Sequence, residues 1–306
     1  MLIGSYSSSL VLISLCVAIL ASYTALDLTG RIATAKGRSA YLWMGGGAFA
    51  LGVGIWSMHF IGMLAFSLPI ELGYDLTLTA LSLLIAVLSS AFALWLVSQP
   101  SLPWLQLGLG ASIMGGGIAS MHYTGMAALR MLPGIDYDPT LFGVSLGIAV
   151  GASAAALWIA FRLRQHTPYV RHIRGAAAVV MGIAIVGMHY TGMAAANFPE
   201  GSFCGALAGG LRGDGLAYLV LITTLAVLAV ALLTSVLDAR LEARTSALAH
   251  SLTLANQVDE HQGEAAALLR NLADRLLDAL GWPARLGRPV RGSSRAFWRC
   301  SSRCSR

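Results

Sequence analysis

The sequence predicts an all-α, polytopic membrane protein: seven transmembrane helices, built as three parallel two-helix repeats plus a seventh helix. Three observations carry that prediction. Long stretches of the 306-residue chain hold no Asp, Glu, Lys or Arg, and several exceed the roughly 18 to 20 residues that span a bilayer. Charged residues make up 11% of the chain against 57% hydrophobic, where a soluble domain carries roughly a quarter charged. Finally, one phrase is spelled three times. It reads Trp56-Ser57-Met58-His59-Phe60-Ile61-Gly62-Met63, then Ala119-Ser120-Met121-His122-Tyr123-Thr124-Gly125-Met126, then Val186-Gly187-Met188-His189-Tyr190-Thr191-Gly192-Met193. The histidines are 63 and 67 residues apart, and self-similarity at a near-constant period marks a repeat architecture.

The first apolar run, residues 7–26, lacks the basic leading segment of a cleaved signal peptide and reads as a retained helix. A basic connection with Arg31, Lys36 and Arg38 precedes the second run, 41–68, which holds the first copy of the phrase. The third run is 76–97, ended by the breaker cluster Gln99-Pro100-Ser101-Leu102-Pro103. The fourth, 104–132, holds the second copy, and a turn over 133–139 leads to the fifth, 140–161. Arg162 to Arg174 reads as a topology determinant and lipid-phosphate contact. The sixth run, 175–198, holds the third copy, and a loop with Glu200, Cys204 and Asp214 leads to the seventh, 215–237. The repeats are therefore about 7–68, 76–132 and 140–198 within a membrane domain over 1–237.

Basic residues follow the first, fifth and seventh runs and acidic ones follow the second, fourth and sixth, with Arg130 and Arg212 the exceptions. The positive-inside rule then places the N-terminus outside and the C-terminus in the cytoplasm. All three histidines fall on one side, about 12 to 15 Å below the outer boundary at 1.5 Å per residue.

Residues 238–280 read as a cytoplasmic amphipathic helical linker, with Leu237, Leu241, Leu248 and Leu252 on related faces. The Arg/Ser-rich end, 281–306, is too polar to bury a core and reads as disordered. Seven of its residues, Arg285 to Arg306, are arginines and by themselves exceed the net charge of +6. The rest is near neutral, so the partner implied is the bilayer surface and not nucleic acid. Cys16, Cys204, Cys300 and Cys304 form no disulfide or zinc pattern. No catalytic domain is recognisable, and the chain reads as a non-enzyme.

In a helix, His59 and Met63 share a face at i and i+4, as do His122 with Met126 and His189 with Met193. Gly62, Gly125 and Gly192 lie at i+3 and open that stripe to a neighbouring helix or a ligand. Met58, Met121 and Met188 are offset by about 100° and are additional candidate ligands. Imidazole nitrogen with thioether sulfur suits copper, Cu(I) above all. No carboxylate lies in any spanning run, so a monovalent ion is favoured. Against this stands a packing role, since His, Met and Gly at helical spacing also serve as membrane-helix filler. Tyr123 and Tyr190 read either as orienting an imidazole or as interfacial aromatics. Thr124 and Thr191 read as bonded back to their own helix. Trp56 and Trp158 read as packing.

The triplicated phrase and seven-helix layout resemble the MHYT domain, a bacterial integral-membrane sensor module. Met121-His122-Tyr123-Thr124 and Met188-His189-Tyr190-Thr191 carry its signature, whereas Phe60 and Ile61 depart from it in the first copy. The resemblance covers about 7–237 and implies a sensor holding copper, responsive to a diatomic gas (oxygen, carbon monoxide or nitric oxide) or to redox or metal state. It also implies a cytoplasmic signalling partner; many relatives continue into cyclic-di-GMP synthase, phosphodiesterase or histidine kinase domains. The alternatives from other classes are a membrane copper transporter or channel and a structural anchor whose phrase only packs helices.

Overall fold

The computed structural model describes residues 2, 4–35, 37–164 and 170–280. Expectations for His166 and for the tail with Cys300 and Cys304 lie outside those residues. The chain divides into two units, 1–235 and 236–306.

The first unit is a helical ring. Its helices are α1 (Ser8–Thr34), α2 (Arg38–Ala65), α3 (Leu76–Val97), α4 (Trp104–Ala127), α5 (Pro139–Leu163) and α6 (Val170–Ala194). Each packs on the next, and α6 closes back onto α1. The start of α7 (Gly213–Ala279) lies against this ring, burying Leu216 and Val220 in one cluster with Ala25 of α1 and Leu51 and Ile55 of α2. Five helices (α1, α2, α3, α5 and α6) are long and apolar enough to cross a membrane, and α7 contributes a shorter apolar stretch, Gly213–Val227. Leu84, Leu88, Ile113, Val180 and Ile183 are exposed on the helices, as a surface against hydrocarbon requires. In the second unit the described side chains of α7 are exposed, Leu241, Leu248 and Leu252 included.

Helix bounds depart from the apolar runs for identifiable reasons. α1 continues past residue 26 because Asp27 pairs with Arg31 one turn on, at 2.9 Å. Asp27 thus lies within a helix stretch long and apolar enough to span, Ser8–Ile32, and its charge is met a second time by buried Arg174 of α6 at 3.5 Å. The even helices end early because the chain turns into two-residue strands. These are β1 (Ser5–Tyr6), β2 (Phe66–Ser67), β3 (Gly73–Tyr74), β4 (Met131–Leu132), β5 (Asp136–Tyr137), β6 (Ala196–Asn197), β7 (Phe203–Cys204) and β8 (Leu211–Arg212). They pair antiparallel as β1–β2, β3–β8, β4–β7 and β5–β6. All lie where even helices finish and odd ones begin, so they cap one end of the ring. The Cys204 thiol, assigned no role from sequence, donates there to the Leu129 carbonyl at 2.9 Å and lies 3.3 Å from that of Gly73.

Charged side chains close the helix ends. Asp75 and Asp138 accept from the backbone N–H of Leu78 and Leu141, capping α3 and α5. Arg130 pairs with Asp75 at 2.7 Å, which accounts for one basic residue among the acidic loops. Arg164, expected at lipid phosphate, instead donates to the carbonyls of Val97, Gln99 and Pro100 at the C-terminus of α3.

Two further three-fold patterns emerge. Seven residues before each histidine sits a glycine, and each packs on an odd helix: Gly52 on Val87, Gly115 on Val150 and Gly182 on Ile19. Helices α1, α3 and α5 each carry Ser-x3-Ala-x3-Ser-x3-Leu, at 14/18/22/26, 82/86/90/94 and 145/149/153/157. All twelve residues are buried. Even and odd helices therefore meet through small residues at matching heights in all three repeats, which is how membrane helices approach closely.

A methyl group at Gly115 would lie 2.7 Å from Val150 Cα, whereas one at Gly116 would meet nothing within 4 Å. Gly115→Ala should destabilise the detergent-solubilised protein by ~1–3 kcal/mol, read as a lower thermal midpoint. Gly116→Ala should leave it unchanged or slightly higher.

Candidate metal centre

The inward course of α2, α4 and α6 brings one histidine from each to a common point. His59, His122 and His189 are 0%, 1% and 1% exposed, so no water screens them. Their Nδ1 atoms form a closed triangle: His59 to His189 3.1 Å, His122 to His59 3.1 Å and His189 to His122 3.3 Å. The rings stand edge to face, with centroids 4.9, 5.0 and 5.1 Å apart.

This triangle cannot be satisfied by protons. A neutral imidazole nitrogen presents either one N–H or one lone pair in the ring plane, and a hydrogen bond needs one of each. Around three corners, at least one contact must set like against like. A cation at the centre resolves this by receiving all three lone pairs. A point equidistant from nitrogens so spaced lies about 1.8 Å from each, close to the ~2.0–2.1 Å of a metal–imidazole bond. The buried His59/His122/His189 cluster is therefore able to bind a metal ion, and the donor chemistry fits.

What orients the rings is shape. Nε2 of each is buried with no hydrogen-bond partner, so the usual acceptor behind a metal-bound imidazole is missing among the described residues. Instead the ring tip of His59 sits on Gly125, that of His122 on Gly192 and that of His189 on Gly62, each so close that a Cβ there would overlap Nε2. The glycines at i+3, expected to open the site, are thus seats, each receiving the ring of another repeat.

The methionines divide. Met63, Met126 and Met193 belong to one buried cluster with Met121, Phe60, Leu129 and Phe198, which extends to the capping loops. Met58 packs with Val17 and Ala18, and Met188 with Ala119 and Ala149, in separate clusters. Thr191 bonds back to the Gly187 carbonyl at 2.7 Å, as expected. The Tyr123 and Tyr190 hydroxyls reach Ser145 and Ser14, while their rings touch the preceding histidines edge-on at 4.8 Å. Trp56, read as packing, also donates its indole N–H to the Ser82 hydroxyl and the Thr79 carbonyl. In the capping loops, burial and then the neighbouring phenols push Tyr6 and Tyr137 up to about 12, so both remain neutral donors at ordinary pH.

The MHYT model, a bacterial signalling protein N-terminal repeat, matches the chain three times, over residues 52–110, 115–171 and 182–246. The chain belongs to this family. Each MHYT match starts in a histidine-bearing helix; the first two run through the odd helix that follows, and the third ends within α7. The chain is similar to MucR of Pseudomonas aeruginosa, a bifunctional diguanylate cyclase/cyclic di-GMP phosphodiesterase, at 68% identity over 84% of this chain and 38% of that protein. It is similar to the cyclic di-GMP phosphodiesterase NbdA of the same organism at 45% over 62% of this chain and 24% of that one. The signaling protein YkoW of Bacillus subtilis is 38% identical over 63% and 24%. The chain thus spans at most 38% of the length of these curated relatives. No solved structure matches. The MHYT membership and long apolar helices make this a multi-pass membrane protein of a bacterial signalling family.

Gly125→Ala should dislodge the His59 ring and abolish metal binding as completely as His59→Ala does. Gly187→Ala, where a methyl would meet nothing within 4 Å, should bind as wild type. Isothermal titration with Cu(II) or Zn(II) in detergent distinguishes the two.

Proposed function

We propose that the chain is the membrane sensor of a bacterial signalling protein and holds copper through His59, His122 and His189. Met63, Met126 and Met193, one turn along each helix, supply the thioethers, with Met58, Met121 and Met188 as reserve ligands. The observation that carries this reading is the closed triangle of Nδ1 atoms, sealed from water in a family of signalling proteins. Imidazole with thioether favours Cu(I), and the absence of a facing carboxylate near the triangle among the described residues favours low ionic charge. When bound, copper supplies a redox-active centre with affinity for a diatomic gas such as oxygen, carbon monoxide or nitric oxide.

In this reading seven helices cross the bacterial cytoplasmic membrane, with the N-terminus in the periplasm. α4 spans with its neighbours because it packs between α3 and α5, its polar His122 turned inward. The membrane domain is 1–237, with repeats over 7–68, 76–132 and 140–198. Residues 238–280 are the cytoplasmic linker to an output partner, and diguanylate cyclase or phosphodiesterase activity, named for MucR and NbdA, is the output class proposed. The stimulus acts only through its differential affinity for two helix arrangements. The chain's own part is to hold three rings in register and to move α2, α4 and α6 together when they shift. A copper transporter needs ligands along a path; histidines at one level beneath a packed apolar cluster support binding without flux.

Protein purified from copper-supplemented cells should retain copper, and the His122→Ala/His189→Ala variant should not. Equal, near-zero content in both removes the metal reading. Proton and metal compete for the same nitrogens, so retention should fall in acid. Copper accumulating inside vesicles that carry the protein would instead indicate a transporter.

A further inference from the structure

The first serine of each Ser-x3-Ala-x3-Ser-x3-Leu stripe makes the same bond in all three repeats. Ser14, Ser82 and Ser145 each donate to the carbonyl three residues back: Val11 at 2.7 Å, Thr79 at 2.7 Å and Phe142 at 2.8 Å. With the proton so committed, each oxygen is left as an acceptor facing a histidine-bearing helix. Tyr190 OH meets Ser14 at 3.1 Å, Tyr123 OH meets Ser145 at 2.6 Å and Trp56 Nε1 meets Ser82 at 3.1 Å, its N–H shared with the Thr79 carbonyl at 3.3 Å.

The third case is the informative one. The first copy of the phrase has Phe60 where the others have tyrosine, and so lacks the hydroxyl. Trp56 lies one turn before Phe60 on the same face, with ring centroids 4.9 Å apart. Its indole N–H can only donate and reaches the serine that corresponds to Ser14 and Ser145. The positions matching Trp56 are Ala119 and Val186, which carry no donor. We infer that Trp56 with Ser82 is a positioning pair for the histidine cluster, the counterpart of Tyr123–Ser145 and Tyr190–Ser14, and that these three latches fix the rotation of α2, α4 and α6 at which the imidazoles meet. The inference adds to the metal reading and rests on it for its ligand, but the latch acts on ring geometry whether or not metal is bound.

The second serines, Ser22, Ser90 and Ser153, are an internal control. They are as buried as the first, on the same helices, yet their hydroxyls have no partner.

The test uses the full chain in detergent with 15N-labelled histidine, recording imidazole nitrogen spectra without metal and then titrating Cu(II) by paramagnetic resonance. Trp56→Phe and Ser82→Ala should each shift the imidazole signals and weaken Cu(II) binding about tenfold, as loss of a supporting hydrogen bond does. The two changes combined should do no more than either alone. Trp56→Ala should be impaired, and Trp56→Ala/Phe60→Tyr, which reproduces the pairing of the second copy, should recover both signals; Ser90→Ala should match wild type. Wild-type signals in Trp56→Phe, or no recovery in the double variant, would overturn the inference. Should Trp56→Phe fail to fold, Tyr123→Phe puts the same question to the second copy by removing one hydroxyl. If wild type takes no Cu(II), the metal reading fails while the metal-free spectra still decide the latch.

Discussion

Three imidazole nitrogens at the corners of a triangle form an odd cycle, and an odd cycle of two-state groups cannot be made wholly favourable. The rest of the membrane unit arranges for those nitrogens to meet despite that. Burying even one unsatisfied polar contact costs about 1–3 kcal/mol, and here it is enforced by packing around it. Glycine seats take the ring tips, a second glycine seven residues back lets each even helix lie on an odd one, and small residues line the facing stripes. An arrangement so determined by its surroundings is the kind that persists at functional sites. It acquires a physical purpose once a cation occupies the centre.

Much of this was legible in the sequence, because the phrase combines a period with polar atoms in apolar runs. The period yielded the repeats, and the side each copy falls on yielded a common level for His59, His122 and His189. The seats were half legible. Gly62, Gly125 and Gly192 stood out at i+3, but a helical wheel cannot show that the ring resting on each comes from another repeat, since that depends on how three helices converge. The capping strands were hidden for a different reason: two-residue pairings leave no alternation to read, and their partners lie far apart in sequence, as with Leu132 and Phe203. Asp27 was read as the start of a connection because a charge ordinarily ends an apolar run, whereas α1 continues to Thr34 with Arg31 and Arg174 paired to it.

The serine stripe is instructive because its signal was present. Ser-x3-Ala-x3-Ser-x3-Leu recurs in α1, α3 and α5 at intervals of 68 and 63 residues, close to those of the histidine phrase, but its residues are ordinary for membrane helices and carry no ionisable group. Only the hydrogen bonds separate its two serines. Trp56 illustrates the converse. Read alone it is a large apolar ring, and only the phenols of the other copies reveal that its N–H occupies a hydroxyl's place.

A three-fold site made from three chains would be held to identical copies, whereas one made within a single chain is free to differ. The first repeat does differ, with Phe60 in place of tyrosine and Trp56 supplying the donor. The start of α7 also breaks the symmetry, packing its Leu216 and Val220 with residues of α1 and α2. Both departures involve α2, which carries His59 and contributes Leu51 and Ile55 to the cluster that holds Leu216 and Val220. The repeat architecture supplies the three-fold geometry, and the departures from it gather around α2, where the phrase itself has changed.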